Sequence, residues 1–403
     1  MNKKVYKYRM MKLAFIDIKA LINIIFLMFL GLLLITSAGS GIAEKLGLSY
    51  YYFVKKQSMF TLIGIFIMII MSILDEQNIR KIIIIGFVIT VTLLILVIFY
   101  GDVTKGAKRW INIYGLTIQP SEFLKPFYTC FIALILAYKK VRINFTILCT
   151  CITINNIIVI LLLLEPDFGM TVTNIIVTFA LVFIAGIKIS WLLFIFISFL
   201  IFLYSAYSIF PHVAIRINKF FDPTSSLNCQ VQQSISSYLK GGFFGKGPGE
   251  GTIKYILPDA HTDFIFAVGA EEFGFIFCMI VIIAFSFFIL RGLWRLTEIS
   301  NLFHIYAVFG IMMHFFLQFF FNIGVTLNIL PTKGTTLPFI SYGGSSILAF
   351  SIAAGIYLNL SKSRQENHLL QKQQFFFVGD DYNNKRTNDY LSISSQNMYN
   401  RQK

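Results

Sequence analysis

Residues 241–274 read GGFFGKGPGEGTIKYILPDAHTDFIFAVGAEEFG, a stretch that runs from the longest polar segment of the chain directly into an apolar one. The polar part places Asp259, His261 and Asp263 close together, and Phe264 then opens an apolar helix. A change from polar loop to helix of this kind is typical of a chain entering a membrane. The stretch therefore decides both the fold class and the place to look for a site.

Two further carboxylates, Glu271 and Glu272, lie inside the apolar helix that follows. Acidic residues are scarce in this chain, with 19 Asp and Glu among 403 residues. A charge near membrane depth is costly, so its presence needs a reason. We expect these titratable groups to form the leading candidate site, at the mouth of a helical bundle.

The composition is that of a membrane protein. The chain is 57% hydrophobic and 13% charged, and it contains repeated apolar runs of about 18 residues or more. No polar stretch is long enough to fold separately, which argues against several soluble domains. The formal charge of +15 does not indicate nucleic acid, because the basic residues lie mostly on alternate loops and report membrane orientation.

The apolar runs predict an all-α polytopic membrane protein of about ten transmembrane helices. The first run is too long for the apolar part of a signal peptide and is therefore an uncleaved span. More Lys and Arg lie on the segments that are inside when the N-terminus is inside, which predicts an N-in, C-in topology. The predicted spans lie near residues 20–38, 58–74, 82–100, 121–138, 143–164, 169–187, 189–210, 264–290, 303–323 and 343–361.

This topology divides the chain into a ten-span membrane domain, residues 1–361, and a tail. Residues 211–263 become a large extracytoplasmic loop between spans seven and eight. Residues 362–403 turn rich in Asn, Gln and Ser, and we predict a disordered cytoplasmic tail. The five cysteines do not make a disulfide framework.

The second outer loop reads KGAKRWINIYGLTIQPSEFLKP, from Lys105 to Pro126. Lys105 and Arg109 lie just before Trp110, a residue that suits the headgroup region. Glu122 and Lys125 are three residues apart on one face of the helix that enters the bilayer, where they can pair. Two interpretations stay open: interfacial anchoring with a structural ion pair, or a polar site facing the bundle interior.

Two shorter motifs have structural explanations. The segment EPDFG, from Glu165 to Gly169, is typical of a tight turn between spans, and Asp167 suits the start of the next helix. The run GGFFGKGPGEG fails the phosphate-loop pattern, because Lys246 is followed by Gly247 rather than Ser or Thr. It is either a flexible loop over a substrate groove or plain turn chemistry.

Asp263 has two competing interpretations. As a general base it needs to lie within hydrogen-bond reach of an acceptor hydroxyl. As a helix cap it satisfies free backbone N–H groups at the helix start. His261 is expected to be a hydrogen-bond partner rather than a metal ligand, since no second His lies at ligand spacing.

The last outer segment reads ILPTKGTTLPFISYGGSS and leads into the final span. Its prolines predict non-helical backbone at the membrane surface, which is tolerated where it lines a cavity. Ser345, Ala349 and Ala353 form a ridge of small residues, which favours close packing of helices within the chain.

Four segments together resemble the SEDS family (shape, elongation, division, sporulation). The matching motifs are KGAKRWI…QPSEFLKP, EPDFG, GKGPGEG…LPDAHTDFIFAV…EEFG and LPTKGTTLPFISYGGSS, in residues 101–126, 165–169, 241–274 and 324–346. One motif alone would be weak, whereas four in the family's order are specific. They are most similar to the division branch, with slight departures at Ala270 and Phe273.

The resemblance implies a peptidoglycan glycosyltransferase that polymerises lipid II into glycan strands outside the bacterial cytoplasmic (inner) membrane, at the division septum. It implies a class B penicillin-binding transpeptidase and other division proteins as partners. Carried over by motif, Asp263 is the expected catalytic base. Arg109, Glu122 and Lys125 are positions tied to activity.

The expected reaction joins two sugars. Asp263 takes the proton from the 4-hydroxyl of the acceptor GlcNAc, the oxygen attacks C1 of the donor MurNAc with inversion, and polyprenyl diphosphate leaves. Nearby cations are expected to stabilise the leaving group. A divalent cation, Mg²⁺ or Mn²⁺, is left open as a cofactor, although no ligand set is visible in the sequence. The residues expected to bind substrate are Lys105, Arg109, Glu122, Lys125, His261 and Ser341.

Two other classes of function stay open. A transporter that flips lipid-linked precursor would use Glu122, Lys125 and the bundle cavity as a path for the head group. A non-catalytic scaffold would recruit the transpeptidase through its spans and tail, and it would have no need of Asp263.

Overall fold

The structure, a computed structural model, describes residues 15–104, 107–113, 116–138, 145–221, 226–331, 334–362 and 366. Lys105 and most of the predicted tail lie outside the described residues. The helices are α1 (Ile18–Lys45), α2 (Tyr52–Ile73), α3 (Glu76–Tyr100), α4 (Pro120–Leu136), α5 (Phe145–Leu164), α6 (Phe168–Ile184), α7 (Ile189–Ile209), α8 (Pro211–Phe221), α9 (Ser226–Gly241), α10 (Ile265–Arg295), α11 (Leu302–Thr326) and α12 (Gly344–Leu360). The strands are β1 (Asp102–Thr104), β2 (Ala107–Ile113) and β3 (Leu116–Ile118).

Seven helices in the described part of the chain are long and apolar enough to cross a membrane. They are α1, α2, α3, α5, α7, α10 with the turn that follows it, and α11, while α6 and α12 are apolar but shorter. These lengths fit a helix-spanned bilayer. The prediction of a polytopic membrane protein is confirmed, and the count of ten spans with its N-in, C-in orientation stays a prediction.

The predicted all-α class holds for these helices but is incomplete. Between α3 and α4 the chain forms a small antiparallel sheet in the order β1-β2-β3. Strand β2 reads AKRWINI, with Lys108 and Asn112 exposed and Ala107 buried. This alternation of buried and exposed side chains is the pattern of a half-buried strand. The Lys and Arg residues of the segment make the pattern hard to recognise in the sequence.

The large loop predicted at 211–263 contains two helices, α8 and α9, and a short 3₁₀ turn at Ile253–Tyr255. Helix α8 reads PHVAIRINKFF, and its proline suits the first turn of a helix. A helix of 11 residues with charged side chains is too short and too polar to be recognised as a span.

The two ends of the bundle differ in character. At one end Asp17, just before α1, accepts a hydrogen bond from Arg291 Nε at 2.8 Å and another from Arg295 Nε at 3.1 Å. This cluster, the Asp17 lock, joins the first described helix to the end of α10. The opposite end, which carries the sheet, α8, α9 and Asp263, is called the Asp263 end.

Small residues bring α12 against α2. A Cβ added at Gly64 would lie 2.5 Å from Ser351 Oγ, and one added at Gly355 would lie 2.6 Å from Met71 Cβ. Ala349 is buried in the same helix. Close approach of this kind is how helices associate in membranes, so α12 and α2 pack tightly, while the packing ridge of Ser345, Ala349 and Ala353 stays a prediction.

Buried polar side chains tie α4, α5 and α6 together. Asn155 Oδ1 accepts hydrogen bonds from Tyr128 Oη at 3.0 Å, Thr178 Oγ1 at 3.1 Å and Asn174 Nδ2 at 3.3 Å. Such bonds join neighbouring helices within apolar surroundings. They fix α4, which carries Glu122, and the helix that begins after the EPDFG turn.

Helix α10 is interrupted at Gly274, whose φ is 73° and ψ is −167°. A side chain there would collide with the Gly-rich loop, because a Cβ would lie 2.4 Å from Gly245 N and 2.6 Å from Phe243 O. Only glycine adopts this backbone conformation without strain. The kink separates the segment of α10 next to Asp263 from the rest of the helix.

Candidate active site

Asp263 is held in a turn directly before α10. The carbonyl of Asp259 accepts from Thr262 N at 3.1 Å and from Asp263 N at 3.1 Å. The helix begins at Ile265 and its N-cap position falls on Phe264. Asp263 therefore lies one residue before the N-cap position, which the helix-cap interpretation had assigned to it.

A polar side chain of α11 forms hydrogen bonds to the backbone of the Asp263 turn. Asn322 Nδ2 donates to the carbonyl of Asp263 at 2.9 Å and to the carbonyl of Thr335 at 2.7 Å. A Cβ added at Gly334 would lie 3.5 Å from Asp263 Oδ2. The last loop, residues 334–343, therefore borders the Asp263 carboxylate directly.

Ser341 fastens the last loop to the Asp263 turn. Its hydroxyl donates to Thr262 O at 2.6 Å and accepts from Leu337 N at 2.7 Å. Its carbonyl accepts from Gln57 Nε2 at 3.1 Å. The structure gives Ser341 a positioning task, and its predicted role in binding substrate stays a prediction.

His261 also joins these two segments. Its carbonyl accepts from Tyr342 N at 2.9 Å. Its ring lies between aromatic rings, with centroid distances of 4.8 Å to Phe53 and 5.3 Å to Tyr342. The half-buried ring packs beside the site, and its predicted contact with substrate stays a prediction.

Arg109 of β2 reaches the EPDFG turn. Its Nε donates to Glu165 O at 3.2 Å, and its Nη2 donates to Pro166 O. The same Nε lies 4.0 Å from Asp167 Oδ2. Asp167 caps α6 by accepting from Met170 N at 3.1 Å, which confirms its predicted helix-start role. We call Arg109, Glu165 and Asp167 the Arg109 corner.

Arg216 of α8 is a site residue that the motifs do not reveal. Burial lowers its pKa and Arg109 lowers it further, whereas Asp167 and Asp263 act in the opposite direction. These four charged groups therefore share one electrostatic environment at the Asp263 end. The available sequence signal is an arginine on a short amphipathic helix, next to the predicted site in the chain.

Glu122 and Lys125 pair as predicted. Lys125 Nζ donates to Glu122 Oε2 at 2.8 Å, and both side chains are buried. The ammonium also lies 4.7 Å from the ring centroid of Phe350 in α12. Helix α4 is linked to α12 a second time, since Gln119 N donates to Ser345 Oγ at 3.0 Å. The pair is thus compensated inside the bundle, next to α12.

The carboxylate of Glu271 binds the Gly-rich loop. It accepts from Lys246 Nζ at 2.8 Å, Thr252 Oγ1 at 3.1 Å and Ile253 N at 2.9 Å. The side chain is fully buried. With this many partners the carboxylate stabilises the loop and does not need a ligand.

The carboxylate of Glu272 does the same with a second lysine. It accepts from Lys254 Nζ at 3.0 Å, Ser37 Oγ at 2.5 Å and Gly249 N at 3.1 Å. Lys254 Nζ also donates to Ser37 Oγ at 2.8 Å and to Gly249 O at 2.6 Å. We call Glu271, Glu272 and their partners the glutamate clamp, which fixes the loop to α10 and favours the structural interpretation of the loop.

No group of three or more His, Cys, Asp and Glu side chains in the described ranges has the arrangement to hold a metal ion. Fewer protein ligands can suffice where substrate phosphates complete the shell of Mg²⁺. The divalent cation therefore stays a prediction.

The fold and the site define an integral membrane protein of long apolar helices, with Asp263, Arg109 and Arg216 at one end of the bundle. The chain belongs to the FtsW/RodA/SpoVE family, described as cell cycle proteins, whose profile matches residues 18–366. The resemblance to the SEDS family and its division branch is confirmed.

Curated relatives cover most of the chain. A protein of Caulobacter vibrioides is 36% identical over 339 residues, which is 84% of this chain and 87% of that protein. One of Trichlorobacter lovleyi is 34% identical over 361 residues, 87% of this chain and 94% of that protein. Both are named probable peptidoglycan glycosyltransferase FtsW.

Solved structures share the fold. One, described as structural coordination of polymerization and crosslinking by a peptidoglycan synthase complex, has a TM-score of 0.73 at 23% identity and covers 87% of this chain and 98% of that chain. The rod shape determining protein RodA of Thermus thermophilus has a TM-score of 0.62 at 21% identity, covering 86% of this chain and 96% of its own.

Proposed function

We propose that this chain is a peptidoglycan glycosyltransferase that polymerises lipid II into glycan strands during cell division. The names of its relatives support the activity. The observation that carries the proposal for the site is the shared electrostatic environment of Arg109, Asp167, Arg216 and Asp263. A carboxylate among cations at one end of a membrane bundle suits a lipid-linked donor with an anionic diphosphate.

Asp263 is the proposed general base. It is half-buried and lies just before the helix, at the Asp263 end of the bundle. It takes the proton of the acceptor 4-hydroxyl while that oxygen forms a bond to C1 of the donor sugar. The bond from C1 to the phosphate oxygen breaks, and the electron pair leaves with polyprenyl diphosphate. Inversion follows from this single displacement, as in glycosidases that use one displacement.

The leaving diphosphate needs positive charge. Arg109 and Arg216 are the proposed contacts, because arginine presents several N–H groups in a planar fork that matches phosphate oxygens. Lys125 has its charge compensated by Glu122 at 2.8 Å, so its proposed contribution is to hold α4 against α12 beside the site. Lys105, His261 and Ser341 complete the proposed substrate-binding set.

The proposed setting is the bacterial inner membrane at the division septum, with ten spans, N-in, C-in, and the Asp263 end outside. The seven long apolar helices support the membrane location. The proposed partner is a class B penicillin-binding transpeptidase. The similar structure of a complex that coordinates polymerization and crosslinking supports such a partner.

The test is polymerisation of lipid II by the full chain, purified with its cognate transpeptidase. Asp263→Ala should lower the rate by about two to four orders of magnitude, the usual contribution of a positioned general base. The matched control is Glu250→Gln, which alters an exposed carboxylate of the Gly-rich loop and should leave the rate unchanged.

Lipid flipping in liposomes is measured on the same proteins. Wild-type polymerisation rates in a folded Asp263→Ala protein would show that the base is another group. Flipping that survives this substitution, together with no polymerisation by the wild-type chain, would favour the transporter.

A further inference from the structure

Glu165 is a buried carboxyl group that the proposed reaction does not use. Its side chain is 0% exposed, and neither Oε1 nor Oε2 has a hydrogen-bond partner in the described part of the chain. A buried carboxylate without such partners is expensive, and the usual outcome is that the group takes up a proton. Glu165 thus differs from the other acidic side chains at this end.

The nearby guanidinium does not compensate the Glu165 carboxyl group. Arg109 Nε donates to the backbone carbonyl of Glu165 at 3.2 Å, and Nη2 donates to that of Pro166. Its Nε lies 4.0 Å from Asp167 Oδ2. The cation is therefore held by the turn backbone and by Asp167.

Burial favours the neutral form of Glu165. Burial raises its pKa from 4.5 to about 9, with a further increase from Asp167 and an opposing effect from Arg109. Arg216 of α8 interacts with Arg109 and Asp167 of the same corner. At neutral pH a protonated Glu165 then adds no negative charge to the Arg109 corner.

We propose that Glu165 is a positioning residue that works in its protonated form and keeps the Arg109 corner free of a second negative charge. A second carboxylate would surround Arg109 with anions and repel the diphosphate of a lipid-linked donor, since like charges at this range cost several-fold in affinity even when partly screened. This role rests on the proposed function, because it concerns how the same site accepts its anionic donor.

The first experiment compares the pH profile of lipid II polymerisation by the full chain with that of Glu165→Gln, which fixes the side chain in a neutral form. Wild-type activity should fall as the pH passes about 9. Glu165→Gln should keep its neutral-pH rate within about two-fold of wild type and should not show this fall. The control Glu250→Gln should follow the wild-type profile.

The second experiment is independent of activity. Infrared spectra of the purified chain should show the C=O stretch of a protonated carboxyl group at neutral pH. This band should be absent from Glu165→Gln and retained in Glu250→Gln. It should disappear from the wild-type spectrum as the pH rises past about 9.

The outcomes separate the two proposals. A wild-type chain that polymerises lipid II but lacks this infrared band would overturn only the role of Glu165. The same holds if the activity of Glu165→Gln falls above about pH 9 as it does in the wild type. A folded Glu165→Gln protein that is inactive at neutral pH would overturn it too, because the acid itself would then be needed. Absence of polymerisation by the wild-type chain would overturn the proposed function instead.

Discussion

The glutamate clamp and the Arg109 corner are two buried sets of charges at the same end of the bundle, and they are satisfied to different degrees. In the clamp, Glu272 accepts from an ammonium, a hydroxyl and a backbone N–H, and Lys254 has three acceptors. In the corner, the Glu165 carboxyl group has no hydrogen-bond partner in the described ranges. The hydrogen-bond network of the clamp is complete and therefore stabilises the fold. An incomplete set such as the Arg109 corner is more typical of a site that binds a ligand.

The largest expected effect comes from breaking the clamp. Lys254→Met should leave Glu272 buried without its ammonium and lower the free energy of unfolding by about 3 to 5 kcal/mol. Thermal unfolding of the detergent-solubilised chain measures the loss. Lys240→Met, which removes an exposed lysine, is the control. An unchanged midpoint for Lys254→Met would mean that the clamp does not stabilise the fold.

The next effect concerns activity rather than stability. Arg216→Gln should lower kcat/KM for lipid II polymerisation by about 10- to 100-fold, since the proposed charged contact to the leaving diphosphate would be lost. The midpoint of unfolding should change little. The control is Arg80→Gln, which removes the half-exposed partner of Glu76 at the Asp17 end. Equal losses in both variants would contradict a specific role for Arg216.

A third effect, smaller for each single pH unit, is the pH dependence of stability at the corner. The pKa of Glu165 rises on folding from 4.5 to about 9, so between these values the folded chain holds a proton that the unfolded chain has released. The contribution of Glu165 to the free energy of unfolding is fully present below pH 4.5. It falls by up to about 1.4 kcal/mol per pH unit as the pH rises toward 9.

Glu165→Gln should remove that slope, so its unfolding midpoint should rise relative to wild type as the pH increases. Midpoints of both proteins across this range measure the difference. Parallel curves for the two proteins would mean that Glu165 does not hold the proton.

The smallest effect lies at the edge of the clamp. Lys246 pairs with Glu271, and its side chain is 32% exposed. Water therefore screens the pair, and Glu271 keeps its bonds from Thr252 and Ile253. Lys246→Met should cost about 1 kcal/mol or less in unfolding. A loss as large as that of Lys254→Met would mean that exposure does not separate the two lysines.

Local patterns predict local structure well in this chain. Asp167 caps its helix and Glu122 pairs with Lys125, both as the spacing indicates. These features depend on residues within a few positions of each other. The family motifs likewise identify the segments that meet around Asp263.

What the sequence does not reveal depends on contacts between distant segments. The carboxyl group of Glu165 is buried, and the bonds of Arg109 to the EPDFG turn span 56 and 57 residues. Lys254 meets Ser37 across 217 residues. The turn residues of the EPDFG segment fit an exposed Glu165 and a buried Glu165 equally well. The burial of its carboxyl group therefore could not be predicted.

The Asp17 lock has a consequence for biogenesis. Asp17 and Arg291 are separated by 274 residues, so α1 is made and inserted long before its arginine partners have been synthesised. Contacts between such distant segments form late. A chain released before α10 is made would therefore keep Asp17 without its arginine partners. Such an incompletely folded bundle would be a substrate for quality-control proteases.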